Sequence, residues 1–335
     1  MKVLVTGAAG FLGSHLVDWL LARGHSVVGI DNLVGGYETN IAEHSNYQFT
    51  CGNILNLKAL TVACNGCDVV VHCAALAYEG LSVFSPSIVS ENIFLGTVNV
   101  ATAAIRAGVK RLVNCSSMAR YGQGWPPFIE GDVGFPVDPY GCAKLGAEKT
   151  CDVLGQTHGM TVVHAVPHNI IGPRQRYDDP YRNVASIMVN LVLQGRRPIV
   201  YGDGLQRRCF SDIRDVIDTL GELTYCELSH GEIFNVGPDE FPVTIKTLAE
   251  TICRLLKVEP EILYMPDRPR EVKEAYCSSD KIRKRFGYKT KHDLEDSLLT
   301  IIDYVKERGP KPFDYNLSIE IDSPLVPRTW KERLF

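Results

Sequence analysis

Residues 2–13, KVLVTGAAGFLG, constrain the fold more than any other stretch of the chain. A run of β-branched and apolar residues, KVLVTG, meets a turn carrying Gly7, Gly10 and Gly13. It continues into GSHLVDWLLARG, whose apolar residues fall at helical spacing and whose end is a glycine. This is a strand, a tight turn and a helix. Glycines in such a turn let the backbone approach a pyrophosphate, and the helix N-terminus adds amide donors and a favourable dipole. The next strand, SVVGID, closes on Asp31, where a carboxylate accepts from the hydroxyl pair of an adenosine ribose. An acidic Asp31 repels a 2′-phosphate, so NAD is expected rather than NADP. Gly7, Gly10, Phe11, Leu12, Gly13, Asp31 and Asn32 are the candidate cofactor residues of this segment.

The first half of the chain keeps alternating. Strand patterns at DVVVHCAAL, KRLVNCSS and TVVHAVP are separated by helical patterns at NIFLGTVNVATAAIRAG and PYGCAKLGAEKTCDVLGQTHG. Near-continuous apolar strands between helices predict an α/β chain with a Rossmann-like, doubly wound parallel sheet covered on both faces. After residue 168 the texture changes. Pro, Arg, Asp and Tyr cluster in GPRQRYDDPYRN, a helix VASIMVNLVLQG comes next, and the tail after about residue 308 is Pro-rich without periodicity. With 335 residues there is room for two domains. The expectation is an NAD-binding domain over 1–168, to which part of 205–235 returns, and a smaller mixed α/β substrate domain with an irregular tail over 169–335.

Composition removes some partners. Hydrophobic residues make up 45% and charged residues 22%, and the net charge is −4, which points neither to nucleic acid nor to an anionic membrane. No run of roughly 18 apolar residues is read as a membrane span. The N-terminus enters a strand at once and shows no signal peptide, so a cytoplasmic location is expected. Eleven cysteines, an odd number, are scattered through the chain and read as reduced thiols. The one CxxC, Cys64–Cys67, lacks a second pair, so it reads as a turn before a strand, and no metal site is expected.

Tyr140 and Lys144 are four apart on a predicted helix and share a face. An ammonium beside a phenol favours the phenolate, and the spacing predicts a lowered Tyr140 pKa. Tyr140 would then take a proton from a hydroxyl while the carbon beneath it gives up hydride. Ser117, at the end of the strand KRLVNCSS, would bond the same oxygen, and Lys144 would also hold the nicotinamide ribose.

The glycine spacing GxxGxxG, together with HCAA (72–75), SSMARYG, PYGCAK, NIIGP (169–173), YGDGLQRRCF (201–210) and DRPREV (267–272), runs through nearly the whole chain. In order and spacing these segments resemble the extended short-chain dehydrogenases/reductases that act on nucleotide sugars, the NAD-dependent epimerase/dehydratase group. The resemblance adds Asn53, Ile54, Cys73, Ala74, Ala75, Cys115 and Pro167 to the cofactor set. It implies a nucleotide-diphosphate sugar as substrate, with Asn169, Arg208 and Arg268 facing the diphosphate and Ser117, Met118 and Tyr201 lining the same site. It also implies a homodimer formed through two helices, roughly residues 90–107 and 140–157.

Members of that group begin by oxidising the sugar, usually at C4, and differ in their later steps. Where 4,6-dehydratases and uronate decarboxylases carry a glutamate, this chain has Ala119, and where one dehydratase branch carries an aspartate it has Met118. GDP-mannose 3,5-epimerases carry a cysteine at the position of Ala119 and a lysine near that of Asn183. Side chains that cannot exchange protons at C3, C5 or C6 leave C4 epimerisation: hydride leaves C4, the 4-keto sugar turns over, and hydride returns to the other face. A 4-ketoreductase or dehydratase on the same residues is the alternative, and a non-enzymatic dinucleotide sensor a third.

Four positions depart from the pattern. Val166 stands where an arginine is common, Asn53 where an aspartate often meets the adenine, and Asn92 lies one residue out of register. Arg120 stands where relatives have a small apolar residue. Arg120 is expected either to read an anionic group of the substrate, such as a uronate carboxylate, or to form an internal ion pair with Glu79 or Glu130.

Overall fold

The computed structural model describes residues 1–335. Strands β1 (Lys2–Thr6), β2 (Ser26–Asp31), β3 (Tyr47–Cys51), β4 (Val69–His72), β5 (Arg111–Cys115) and β6 (Thr161–Pro167) join one sheet with a seventh strand, Glu232–Val236. All neighbours are parallel, in the order Glu232–Val236, β6, β5, β4, β1, β2, β3. The strands read as continuous apolar runs because both faces are covered. One face packs on helix α1 (Phe11–Ala22) and helix Ile213–Glu222 through Leu16, Leu20, Val216 and Leu220. The other packs on α2 (Leu57–Cys64), helix Gly96–Arg106 and helix Pro139–His158 through Leu60, Val100, Ala104 and Cys151.

The order reverses between β1 and β4, which opens a crevice beyond the carboxyl ends of the strands. The glycine turn lies there because two contacts admit no side chain. Gly7 has φ of 70°, and a Cβ on Gly13 would stand 2.1 Å from the carbonyl oxygen of Gly7. Helix α1 therefore begins hard against the end of β1, without a side-chain cap on its first-turn amides.

A third core joins helices Val184–Leu193, Ile245–Leu256 and Leu294–Arg308 around Met188, Leu248 and Ile301. This body closes the other side of the crevice. The chain crosses between the two bodies more than once, since helix Ile213–Glu222 and strand Glu232–Val236 belong to the main sheet.

One sequence expectation needs correction. The helix Pro86–Arg106 is long and apolar enough, by length and composition, to cross a membrane. It is not a uniform apolar rod: Val89, Ile93, Val100 and Ala101 are buried against the protein, while Glu91 is exposed. Its residues Glu91–Leu95 form a π-helical turn, which absorbs one additional residue in a helix. That turn gives the register departure at Asn92 a physical cause, and Asn92 still reaches the cleft wall, where its Oδ1 accepts from the Leu76 amide at 2.8 Å.

Leu16 is fully buried between α1 and the sheet. Leu16→Ala is expected to lower unfolding stability by about 2–5 kcal/mol. Urea denaturation checks this, as a lower midpoint at unchanged slope.

Candidate active site

Helix Pro139–His158 starts by local rules. Pro139 occupies the first turn, and the Asp138 carboxylate caps the helix by accepting from the Gly141 amide at 2.8 Å. This start places Tyr140 and Lys144 on the buried face, 6% and 4% exposed. The Lys144 ammonium donates to the carbonyl of Cys115 at 2.7 Å, so it grips the last residue of β5. Two residues on, Ser117 leaves the strand in extended conformation and its Oγ accepts from the Ala119 amide at 3.2 Å. Its hydroxyl faces the Tyr140 phenol. Ser117, Tyr140 and Lys144 thus meet at one wall of the crevice.

Most of the other expected residues line the same crevice. At one end stand Gly7, Gly10, Phe11, Leu12, Gly13, Asp31, Asn32 and Ile54, and further along Cys73, Ala74, Ala75, Cys115, Met118, Pro167, Asn169 and Arg208. Asp31 is held ready, its two oxygens accepting from the amides of Ala9 (3.0 Å) and Leu33 (2.7 Å). Tyr201 and Arg268 line an adjoining lobe that shares Asn169 and Arg208 with the first. Arg268 lies over the Tyr201 ring at 4.6 Å and pairs with Glu271 at 2.8 Å.

Two expected residues lie elsewhere. Asn53 is exposed outside the crevice, and its Oδ1 accepts from the nearby Leu55 amide at 2.9 Å. Arg120 is 3% exposed and turned away from the crevice. Its Nε pairs with Glu148 at 2.9 Å, which is neither of the expected partners, and its guanidinium lies 4.8 Å from the Tyr121 ring. Glu148 is fully buried on helix Pro139–His158 and also accepts from the Ser116 hydroxyl.

Cys115 pairs with Ala165 in register, so Val166 lies beside Ser116, the residue that bonds Glu148.

Sequence reasoning missed several lining residues. Glu79 and Asp138 place two carboxyls near Tyr140, and Arg182 lines both lobes and reaches within 3.2 Å of the space above Gly35. Arg182 lay in the segment GPRQRYDDPYRN, noted only for its composition. Glu79 carried no periodic or motif signal. Glu79 is open to solvent at the cleft, with Arg208, Arg268 and Glu271 as its charged neighbours. Burial, reinforced by the charge of Glu79, pushes Asp138 up to about 7.

The expected lowering of the Tyr140 pKa is not supplied by the protein alone. Burial raises it, the nearby Ser117 hydroxyl lowers it, Glu79 and Asp138 raise it, and Arg182 lowers it. Lys144 stands 5.9 Å from the ring centroid and is itself shifted down by burial.

Arg120→Ala strands the buried Glu148 charge and is expected to cost about 3–5 kcal/mol in thermal or urea unfolding. Adding Val166→Arg to that variant should recover part of the loss, whereas no recovery would separate the two positions. Asp138 binds its proton more tightly folded than unfolded, so its contribution to stability is present below about pH 4 and lost as pH rises to about 7. Asp138→Asn keeps a helix cap, and its stability–pH curve should be flatter over that window.

Residues 3–237 match the model of the NAD dependent epimerase/dehydratase family. The chain is 30% identical to a UDP-glucose 4-epimerase of Mycolicibacterium smegmatis, covering 92% of this chain and 100% of that one. It is 32% identical to a UDP-N-acetyl-alpha-D-glucosaminuronate decarboxylase of Bacillus cytotoxicus over 79% of this chain and 83% of that one. Among solved structures, the UDP-glucuronic acid 4-epimerase of Bacillus cereus, in complex with UDP-glucuronic acid and NAD, superposes with a TM-score of 0.86 at 28% identity, covering 92% and 100% of the two chains. By its matched family model, its relatives and its crevice, the chain belongs to the NAD dependent epimerase/dehydratase family.

Proposed function

We propose that this protein is an NAD-dependent 4-epimerase of a nucleotide-diphosphate sugar, with a UDP-linked hexose or uronate as the favoured class. The observation that carries the reading is the convergence of Ser117, Tyr140 and Lys144 on a crevice whose near end is the glycine turn and whose far end holds arginines. NAD fits the near end: a Cβ at Gly7 would stand 2.7 Å from the Ala74 amide nitrogen, so bare backbone forms the cradle, and Asp31 is aimed into it. Bound there, the cofactor supplies a hydride acceptor that also returns the hydride.

The chain's own groups do the rest. Ser117 bonds the C4 oxygen, and Tyr140 takes the proton from that hydroxyl and later gives it back. Lys144 stabilises the phenolate and keeps the end of β5 in place. Because the phenol titrates high in the protein by itself, proton abstraction depends on positive charge arriving beside it. Arg208, Arg268 and Arg182 hold the diphosphate through charge and planar hydrogen bonding, which leaves the hexose free to turn.

One observation supports a second reading. Met118 and Ala119 offer no proton-transfer group, yet Glu79 brings a carboxyl to the same cleft from another loop. A carboxyl there suits proton removal from a keto sugar, as a dehydratase or decarboxylase needs. Asp138 is already committed to its helix cap.

The assembly we infer is a cytoplasmic homodimer. Phe94, Leu95 and Val153 leave 40%, 43% and 63% of their surface exposed on the two helices expected to pair, and Phe94 lies across Gly146.

Incubation with UDP-, GDP- and dTDP-sugars, then proton NMR at the sugar C4, tests the reading. Conversion of at least one sugar to its C4 epimer without added reductant is expected; no change at C4 with any of them refutes it. Tyr140→Phe should lower turnover by about 10²–10⁴-fold while NAD binding persists, and full activity would refute the mechanism.

A further inference from the structure

Two thiols face each other at the cofactor end of the crevice. Cys73 comes directly after β4 and Cys115 ends β5, and their sulfurs are 3.7 Å apart. The closeness is set by the sheet. His72 pairs in register with Asn114, so the next residues, Cys73 and Cys115, come from neighbouring positions of adjacent parallel strands. Such strands run about 4.8 Å apart. That spacing lies within the Cα separation of roughly 4.4–6.8 Å that a disulfide spans. Both side chains line the crevice; Cys73 is partly exposed and Cys115 is 5% exposed. Of the chain's free cysteines, only these two line the crevice.

The two sulfurs share a contact in which either can donate, and the Lys144 ammonium favours a thiolate on both. One sulfur can therefore attack as the thiolate while the other keeps its proton.

We propose that Cys73 and Cys115 form an oxidisable dithiol that a hydroperoxide converts into a cross-strand disulfide, closing the crevice to its cofactor. The chemistry balances with hydrogen peroxide as oxidant. The thiolate of one cysteine attacks one peroxide oxygen, the O–O bond breaks, hydroxide leaves, and that cysteine becomes a sulfenic acid. The sulfur of the other then attacks it, the S–O bond breaks, and water leaves as the S–S bond forms. Two thiols lose two electrons and two protons in all, and the peroxide becomes two waters.

Oxidation acts on binding because of where the sulfurs are. Forming the bond shortens 3.7 Å to about 2.05 Å. This draws together two segments that already touch the site. Ala74, next to Cys73, packs on Gly7 of the glycine turn and donates its amide to Thr6 at 3.2 Å. The carbonyl of Cys115 holds Lys144. A dinucleotide bound over these residues covers both sulfurs, so cofactor and peroxide compete for the same wall. The protection arm rests on the cofactor reading above; formation of the disulfide does not.

The test treats the full-length protein with hydrogen peroxide, with and without saturating NAD, and then with dithiothreitol. Peptide mapping under non-reducing conditions should find the Cys73 and Cys115 peptides linked and two hydrogens lighter than the free pair. NAD affinity measured by calorimetry should fall roughly tenfold or more and recover on reduction. Saturating NAD should slow the linkage by a similar factor. Cys73→Ser, compared with its own untreated affinity, should lose little on peroxide treatment. Absence of the linked peptide, a linked protein with undiminished NAD affinity, or an equal loss in Cys73→Ser overturns the proposal. Neither readout requires the sugar reaction, so failure of the epimerase reading is told apart from failure of this one.

Discussion

The site depends on the buried carboxylate of Glu148. It sits fully buried one turn beyond Lys144, on the helix that also carries Tyr140, and accepts from Ser116 and Arg120. Both partners belong to the stretch that leaves β5 and carries Ser117. One charge therefore fixes the catalytic helix to the strand end, and Lys144 repeats the tie through the Cys115 carbonyl. A buried carboxylate without its cation is costly, and Arg120 supplies that cation here. Arg120, read from the sequence as a candidate substrate contact, is part of the frame that holds the serine and tyrosine in reach of each other.

Around that frame the crevice is electrostatically divided. Its cofactor end offers bare backbone, a helix start and the Asp31 carboxylate, whereas its far end gathers Arg182, Arg208 and Arg268. Between them lie a high-titrating phenol and two carboxyls, Glu79 and Asp138, which destabilise its ionised form. In the proposed mechanism, proton removal by that phenol waits on cationic charge arriving beside it. The same wall contains the paired thiols of Cys73 and Cys115.

Much of this is legible in the residues alone. The glycine turn, Asp31 and the Tyr140–Lys144 pair are local: their spacing on one strand, turn or helix decides their geometry. Asn92 is legible as an irregularity but not as a π-helical turn, since periodicity counts residues and not hydrogen bonds. Glu79 and Arg182 are not legible as site residues, because loops far apart in sequence bring them to the crevice. Arg120 forms the internal ion pair that the residues offered as one of two readings, but with Glu148, a partner that only the packing of helix Pro139–His158 against β5 brings near, while Asn53 turns its amide oxygen to the Leu55 amide.

In the proposed chemistry a hydride leaves C4 and returns to C4, with no proton exchanged at carbon. The most direct measurement tracks isotopes in the product. A UDP-hexose deuterated at C4 is turned over in ordinary water, and the unlabelled sugar is turned over in deuterium oxide. Hydride exchange predicts that the C4 epimer keeps its deuterium in the first case and gains none at C3, C5 or C6 in the second. Loss of the C4 label, or solvent deuterium at C5 or C6, would contradict it and assign the chemistry to proton transfer at carbon, for which Glu79 is the available group.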